Sequence, residues 1–510
     1  MALLLVSIYL LFNYNKQIQG LSNDVLQGKG IDPVIFINAT LFLFACGMLM
    51  LRIIFYIVKL IYKIGRKKFQ PVTYAGLLQI MRTRKASGVI SVFLVMTVAM
   101  SLFNANMART INANKEARLE YNNGTDFRIR EKWNLTVVGP PGATRWKYTE
   151  PDYENYNQLV ADGTFASVTK VLLTNNGVFK SGSLETKTTI MGIHTKEFGE
   201  TAYLRDGLTD KHWYNYLNAL AEETEGVIIS RNRAKMMEKE VGDSLVCEMN
   251  PPPQSTNTAP YANVSLKIVG IVDSWPGYEK YYYIKDENDK LVEKERYLAI
   301  MNYGTAINSF TVLPYEIWGR VDSGFMGNTM TSDELEEKLT SGFTGKRRLD
   351  YINSWRDDLR EEKSTAIIQI TNGLFTADFL IALILCIIGY MIYWITSIRD
   401  RELLFGIYRA MGISRGEINN MLGLEQIFLS LMSIFAGVLS GTLASKFFVK
   451  VFAAVYLPQR HNVTVFTSSY GSDMIKMGVV LLIVVVVCVF WIRRIVRSLN
   501  ITEALKLGED

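Results

Sequence analysis

Six apolar runs, and the uneven gaps between them, constrain this chain more than anything else in it. They lie near residues 2–13, 33–52, 88–108, 374–396, 423–445 and 475–492. A membrane-spanning helix needs ~20 mostly apolar residues, and Val479 to Ile492 carries no charge at all. The overall 49% of hydrophobic residues fits soluble and membrane proteins alike, so the local runs decide. They imply a polytopic α-helical membrane protein of about six spans. The gap between the third and fourth runs, residues 109–370, is long enough for a domain with its own core. The run at 2–13 is short and begins directly at Met1, which suggests a span whose beginning lies outside this chain.

Lys and Arg in short loops set the orientation. Residues 63–87 hold Lys63, Arg66, Lys67, Lys68, Arg82, Arg84 and Lys85 and no acidic residue. That segment is expected in the cytoplasm, as a basic linker with an interfacial helix. Alternate crossings then put 14–32, 109–370 and 453–474 outside. They leave 398–418 and the tail inside, where Arg493, Arg494 and Arg497 agree. Lys446 and Lys450 run against the rule and are expected to snorkel to the interface. The net charge of +6 is thereby a topology signal, since the basic clusters flank apolar spans. It argues against a nucleic-acid partner. Cys46, Cys386 and Cys488 fall within spans and Cys247 is alone outside, so no disulfide framework supports the outer region.

The outer segment reads as α+β. Asn175-Asn-Gly177 between two β-rich stretches suggests a hairpin turn. Thr188 to Ile193 and Val264 to Val272 read as strands. Trp213, Tyr216, Leu217 and Leu220 mark an amphipathic helix. A further helix is expected over Arg231–Glu240, capped by Ser230 and ended by Gly242, and Pro251 to Pro253 reads as a loop. Asn104 to Tyr121 and Ser354 to Thr371 flank the segment as stalk helices or as solvated linkers; both readings stand on composition.

Between the fourth and fifth runs lies Arg399-Asp-Arg-Glu-Leu-Leu-Phe-Gly-Ile-Tyr-Arg-Ala-Met-Gly412. Leu403, Leu404, Ile407 and Met411 fall on one helical face by a 3.6-residue period. Gly412 is expected to stop that helix, and Ser414 to Glu417 fits a capping box that starts the next. A short amphipathic helix on the cytoplasmic side suits the docking of a motor protein.

The order of spans, outer domain, inside helix and basic tail resembles the FtsX-like permease family, including MacB-type transporters. Arg401, Glu402, Arg409-Ala-Met-Gly412, Ile418, Glu425, Gly437, Gly441 and Thr502-Glu-Ala-Leu505 carry that resemblance. Ile501-Thr502 stands where the family's closing motif has a proline. Gly226 to Ser230, Ala234, Val241 to Leu245 and Lys267 to Val272 resemble the MacB-type periplasmic core. On this resemblance 1–62 are two spans closing a preceding permease unit, 63–87 the basic linker and 88–108 a span. Residues 109–370 are then a MacB-like extracytoplasmic domain with stalks, and 371–510 an FtsX-like domain of three spans and a coupling helix.

The resemblance implies an ABC permease in a bacterial cytoplasmic membrane. A separate cytoplasmic ABC ATPase, which carries the ATP and magnesium, would dock on Arg399, Arg401, Glu402, Leu403, Leu404, Ile407, Arg409, Met411 and Gly412. No cofactor is expected in this chain itself. Its other expected partners are membrane lipid and a second permease unit, either another copy or an N-terminal half. The substrate would be a peptide, lipid or lipoprotein.

Glu425 near the cytoplasmic end of its span reads as a structural or coupling group, solvated at the interface or paired with an Arg of the inside loop. Gly437 to Gly441 is a GxxxG, fit for close helix packing within the chain or between copies. Gly345-Lys346 is followed by Arg347 and lacks a P-loop glycine at position 340. His194, His212 and His461 have no metal-ligand spacing, and no GxSxG occurs. A catalytic chain is therefore not expected. A membrane sensor with a large ectodomain and a partner kinase is the alternative from another class.

Overall fold

The computed structural model describes residues 2–16, 34–65, 71–82, 84–138, 145–181, 184–249, 262–286, 291–310, 312–321, 330–341, 348–456 and 471–498. The chain divides into two compact units. A helical unit comprises Met1–Ala113, Ala366–Gln459 and Phe466–Asp510, and an α+β unit comprises Asn114–Thr365 and Arg460–Val465.

Four helices come first: α1 Ala2–Lys16, α2 Val34–Gly65, α3 Pro71–Arg82 and α4 Arg84–Asn123. The α+β unit continues through β1 Phe127–Glu131, β2 Asn134–Val138, β3 Arg145–Thr149, α5 Glu154–Ala161, β4 Phe165–Ser181, β5 Leu184–Ile193, α6 Thr195–Thr201 and α7 Trp213–Glu222. There follow β6 Gly226–Ser230, α8 Arg231–Met237, β7 Ser244–Met249, β8 Ala262–Val272, β9 Tyr281–Lys285, β10 Leu291–Glu295 and β11 Leu298–Asn302. It closes with α9 Tyr303–Phe310, β12 Glu316–Val321, α10 Ser332–Ser341, β13 Leu349–Ser354 and α11 Trp355–Ser364. The helices α12 Ala366–Arg399, α13 Glu402–Ala410, α14 Arg415–Tyr456 and α15 Gly471–Ser498 complete the helical unit.

Among the described residues, four helical stretches are long and apolar enough to cross a membrane: Ile37–Gly65, Ser91–Asn123, Thr376–Arg399 and Gly416–Val449. They coincide with four of the six apolar runs. The first and last runs appear as the shorter apolar helices Leu4–Asn13 and Gly478–Trp491. The 15 residues of α1 rise ~22 Å, less than the ~30 Å of a bilayer's hydrocarbon core.

Helix α14 is the hub of this unit. Gly437 and Gly441 on it face α4, not a second copy. A Cβ at Gly437 would lie 2.6 Å from the Val98 Cβ, and one at Gly441 would lie 2.8 Å from the Ala99 carbonyl oxygen. The GxxxG therefore brings two backbones together within one chain, which settles the choice the sequence leaves open. On α4, Ala99, Phe103, Met107 and Ile111 repeat every fourth residue and pack with Ala444 and Phe448 of α14 and Phe42 and Cys46 of α2. A buried polar row also runs along α14, comprising Glu425, Gln426, Ser430, Ser433, Ser440 and Ser445. Ser430 shares a hydrogen bond with the Tyr390 hydroxyl (3.1 Å), and Ser445 accepts one from Asn106 (2.9 Å). Asn104 donates to Asp378. These three bonds between helices satisfy polar groups that lipid would leave bare, whereas the buried side-chain nitrogen and oxygen of Gln426 have no hydrogen-bond partner among the described residues.

The α+β unit is built on nine strands in the order β13-β1-β12-β4-β5-β11-β6-β8-β7. An extra pairing of β4 with β7 closes the last six into a ring. Within it β5 pairs parallel with β11 and β6 parallel with β8. The long strand β4 makes this possible by serving two neighbours in turn. Its first half pairs with β12 from Phe165 to Val171, and its second half pairs with β7 from Gly177 to Lys180. A register shift between Thr174 and Gly177 separates the halves.

Asn175-Asn-Gly177 is therefore a bulge within β4 and not a hairpin turn. A Cβ on Gly177 would fall inside the Ile190 side chain, so packing demands this glycine. The segment joining β4 to β5 falls later and lies outside the described residues. The strands over 188–193 and 264–272 and the helix at 213–222 lie where the sequence places them. The helix over 231–240 ends early, at Met237, because Glu238 takes a left-handed conformation (φ 50°). Ser230 forms no side-chain cap there; its hydroxyl instead accepts from Leu298 N (3.1 Å). Pro251 to Pro253 lie outside the described residues.

Candidate functional site

The segment 399–417 folds as a short helix fastened at both ends. The long helix α12 stops at Arg399, and the chain turns through Asp400 and Arg401 into α13. The end of α13 is a Schellman motif. Ile413 N donates to Tyr408 O and Gly412 N to Arg409 O, each at 3.0 Å, with Gly412 at φ 92°. Four residues at most separate it from α14, which begins with the expected capping box. The Ser414 hydroxyl accepts from Glu417 N (3.2 Å), and the Glu417 carboxylate accepts from Ser414 N (2.8 Å). Two backbone donors that α14 would otherwise leave unsatisfied are thus paired reciprocally.

Two sides of α13 differ in kind. Phe405 is buried in a cluster with Trp394, Ile398, Ile418, Met421 and Leu422. Leu403, Ile407 and Met411 are 67%, 49% and 64% exposed and form one row at four-residue steps. Leu404 is half-buried between the two sides. Arg399 and Arg409 are exposed. A row of three exposed apolar side chains is a surface fit for a protein partner.

Arg401 sits elsewhere. It is buried, 8% exposed, and forms a two-pronged pair with the fully buried Glu425 of α14. Its Nη1 donates to Glu425 Oε2 (2.8 Å) and its Nη2 to Oε1 (3.3 Å). Nη2 also donates to the Ser397 hydroxyl near the end of α12 (2.6 Å). One guanidinium thereby joins α12, the start of α13 and α14. Of the two readings of Glu425, pairing with an inside-loop arginine is the one the geometry shows.

A second constellation joins the two chain crossings of the α+β unit. Arg118 on α4 forms a 2.7 Å ion pair with Glu362 on α11, and Lys115 lies 3.9 Å from the same carboxylate. At the far ends of these helices the buried Asp126 accepts three hydrogen bonds and forms one ion pair. Tyr203 OH (2.7 Å), Trp355 Nε1 (3.2 Å) and Val321 N (2.9 Å) donate to it, and the Arg356 guanidinium lies 2.7 Å away. Helix α4 continues unbroken to Asn123, whereas the chain after α11 breaks at Thr365 (φ −62°, ψ 131°) before α12. The sequence marks both stretches as stalk candidates. It gives no hint of the Asp126 hub, because a single Asp before a strand has no local signature. Among the described residues, no group of His, Cys, Asp and Glu is arranged to hold a metal ion.

Residues 379–501 match the family model described as FtsX-like permease C-terminal. The chain carries an FtsX-like permease domain. The match contains the whole of α13, the Arg401–Glu425 pair and both Gly437 and Gly441. None of the curated proteins compared matches the chain.

Three solved structures are similar to parts of it. The periplasmic region of MacB from Actinobacillus actinomycetemcomitans is 13% identical, with a TM-score of 0.28 over 48% of this chain and 95% of that one. The extracellular domain of the noncanonic ABC-type transporter YknZ from Gram-positive bacteria is 12% identical, with a TM-score of 0.23 over 39% and 88%. A domain of a putative permease from Porphyromonas gingivalis is 9% identical, with a TM-score of 0.25 over 46% and 89%. Likenesses at such scores fix neither the fold nor the activity of this chain.

Proposed function

We propose that this chain is the permease subunit of an ABC transporter of the FtsX/MacB type. A separate cytoplasmic ATPase binds and hydrolyses ATP with magnesium, and the permease turns that cycle into movement of the α+β unit outside the membrane. That unit handles a peptide, lipid or lipoprotein, the protein residing in a bacterial cytoplasmic membrane with about 109–370 outside. A second permease unit, another copy or an N-terminal half, completes the assembly.

The observation that carries this reading is α13. It presents Leu403, Ile407 and Met411 outward, while Arg401 ties its base to α12 and α14. A push on the exposed row is then delivered to two long apolar helices at once. Arg401 and the half-buried Leu404 serve this helix from within, leaving Leu403, Ile407, Met411, Arg399 and Arg409 as the docking surface proper. The Arg118–Glu362 pair and the Asp126 hub support a role for the stalks, since they make the two crossings of the α+β unit move together.

The test is affinity purification of the tagged chain from its own membrane. A P-loop ATPase in stoichiometric amount, lost in the Leu403→Asp/Ile407→Asp variant, supports the proposal. A complex holding a kinase and no ATPase would move the assignment to a membrane sensor.

A further inference from the structure

The α+β unit contains a cleft that the permease reading leaves without a task. It lies where β1 ends, β12 begins and the chain enters α5, and it is lined by Glu131, Trp133, Asp152, Tyr153, Tyr156 and Tyr315, among others. Its walls are aromatic. Trp133 and Tyr315 meet edge to face, with ring centroids 4.9 Å apart at 90°, and Tyr153 and Tyr156 are 6.0 Å apart. Its charged lining residues, Glu131 and Asp152, are both acidic. Glu131 is 8% exposed and accepts a hydrogen bond from the Tyr156 hydroxyl (2.6 Å). The cleft opens to solvent, and its inner room is about 10 Å³, enough for one water molecule or one ammonium group.

The same rings already hold a cation belonging to the chain. Lys170 Nζ lies 4.5 Å from the Tyr153 ring centroid and 5.0 Å from that of Tyr315, and 2.6 Å from the Glu150 carboxylate. Tyr315 donates its hydroxyl to Glu150 as well (2.6 Å). Burial opposes the charge on Glu150, yet the bonds from Lys170 and Tyr315 outweigh it and hold its pKa below the usual carboxylate range. Aromatic faces with carboxylates behind them attract a cation on an apolar stem. Tyr153 and Tyr315 do this for Lys170 while also lining the cleft.

The geometry points to a recognition site for the ammonium group of a lysine-type side chain on a polypeptide. The ammonium would sit between Glu131 and Asp152, and its alkyl stem would lie against Trp133 and Tyr153. This deepens the reading of the α+β unit as the part that meets substrate, and it needs no ATPase to be tested.

The full chain is placed in nanodiscs of phosphatidylcholine, a lipid without net charge. Calorimetric titration then compares a capped glycine–lysine–glycine tripeptide with its norleucine analogue. The lysine peptide should bind at least about tenfold tighter, and Glu131→Gln and Trp133→Ala should each weaken it about tenfold. Thermal unfolding of each variant checks its fold. Asp152→Asn, at an exposed position, carries the test if either of the others fails to fold. Equal binding of the two peptides, no binding of either, or full binding by the folded variants would overturn the proposal. ATPase co-purification is read separately, so failure here leaves the transporter assignment standing, and the reverse.

Discussion

Breaking the Arg401–Glu425 pair should cost far more than breaking a surface ion pair. Glu425 is fully buried and Arg401 nearly so, and the contact is two-pronged at 2.8 and 3.3 Å. Removing one partner strands the other charge in an apolar surround, which costs about 3–5 kcal/mol in comparable buried pairs. Arg401→Met and Glu425→Met should therefore each destabilise the helical unit by about that amount. Arg401→Met carries a smaller added loss, since the Ser397 hydroxyl then also loses its donor. The double variant Arg401→Met/Glu425→Met removes both charges. It should recover most of the loss, because apolar replacement of a whole buried pair is often neutral or stabilising. Reversible unfolding in mixed detergent micelles gives the four free energies, and the cycle isolates the coupling. The expected coupling is about 5 kcal/mol or more, the two single losses together less the small residual cost of the double variant. Single variants costing under about 1 kcal/mol, or a double variant costing the sum of the two, would refute the claim that this pair anchors α13.

Three further outcomes follow from particular contacts. Gly437→Val drives side-chain atoms into Val98 and the backbone of Val95, and overpacking of this kind costs about 1–3 kcal/mol or more; folded yield in detergent should fall sharply, while the same change at Gly373, where a Cβ meets nothing, should be tolerated. Ser414→Ala removes both bonds of the Ser414 hydroxyl, leaving only the one from Ser414 N to Glu417, and should lower stability by about 1 kcal/mol, read in the same unfolding assay. Glu316 gives the α+β unit an acid-sensitive joint: burial opposes its charge, but Arg128 at 2.7 Å, with Tyr351 and Trp318, outweighs burial and keeps its pKa below the usual carboxylate range. A depressed carboxylate stabilises fully above the ordinary pKa of ~4.3 and loses that contribution as pH falls through the folded value. The wild-type unit should thus melt earlier as pH drops below about 4, and Glu316→Gln should flatten that slope.

What could be read from the sequence was local. The capping box at Ser414 and Glu417 and the stop at Gly412 are set by neighbours within a few residues, so the residue types announce them. Helical period puts Leu403, Leu404, Ile407 and Met411 on one face, and three of the four are exposed while Leu404 is half-buried. Arg401 could not be placed this way. A charged residue in a short polar loop looks solvent-facing until its partner, 24 positions further on in another helix, is brought beside it. Gly437 and Gly441 advertised close packing but not their neighbour, since Val98 and Ala99 lie far away in sequence. At Asn175-Asn-Gly177 a strong local turn signal was overridden. The pairing of β4 first with β12 and then with β7 requires a bulge there, and that need arises from strands distant in sequence. The ring closure and the Asp126 hub are tertiary in the same sense.

The central claim is that a cytoplasmic ATPase docks on the exposed face of α13. A single cysteine at position 407, in a chain whose four native cysteines are replaced by serine, can carry a short photoactivatable cross-linker. Irradiation of native membranes followed by mass spectrometry identifies what touches that face. The account predicts one dominant adduct, a P-loop ATPase, lost when Leu403 and Met411 are changed to Asp. Cross-links to lipid alone, or to this ATPase undiminished in that variant, would contradict it.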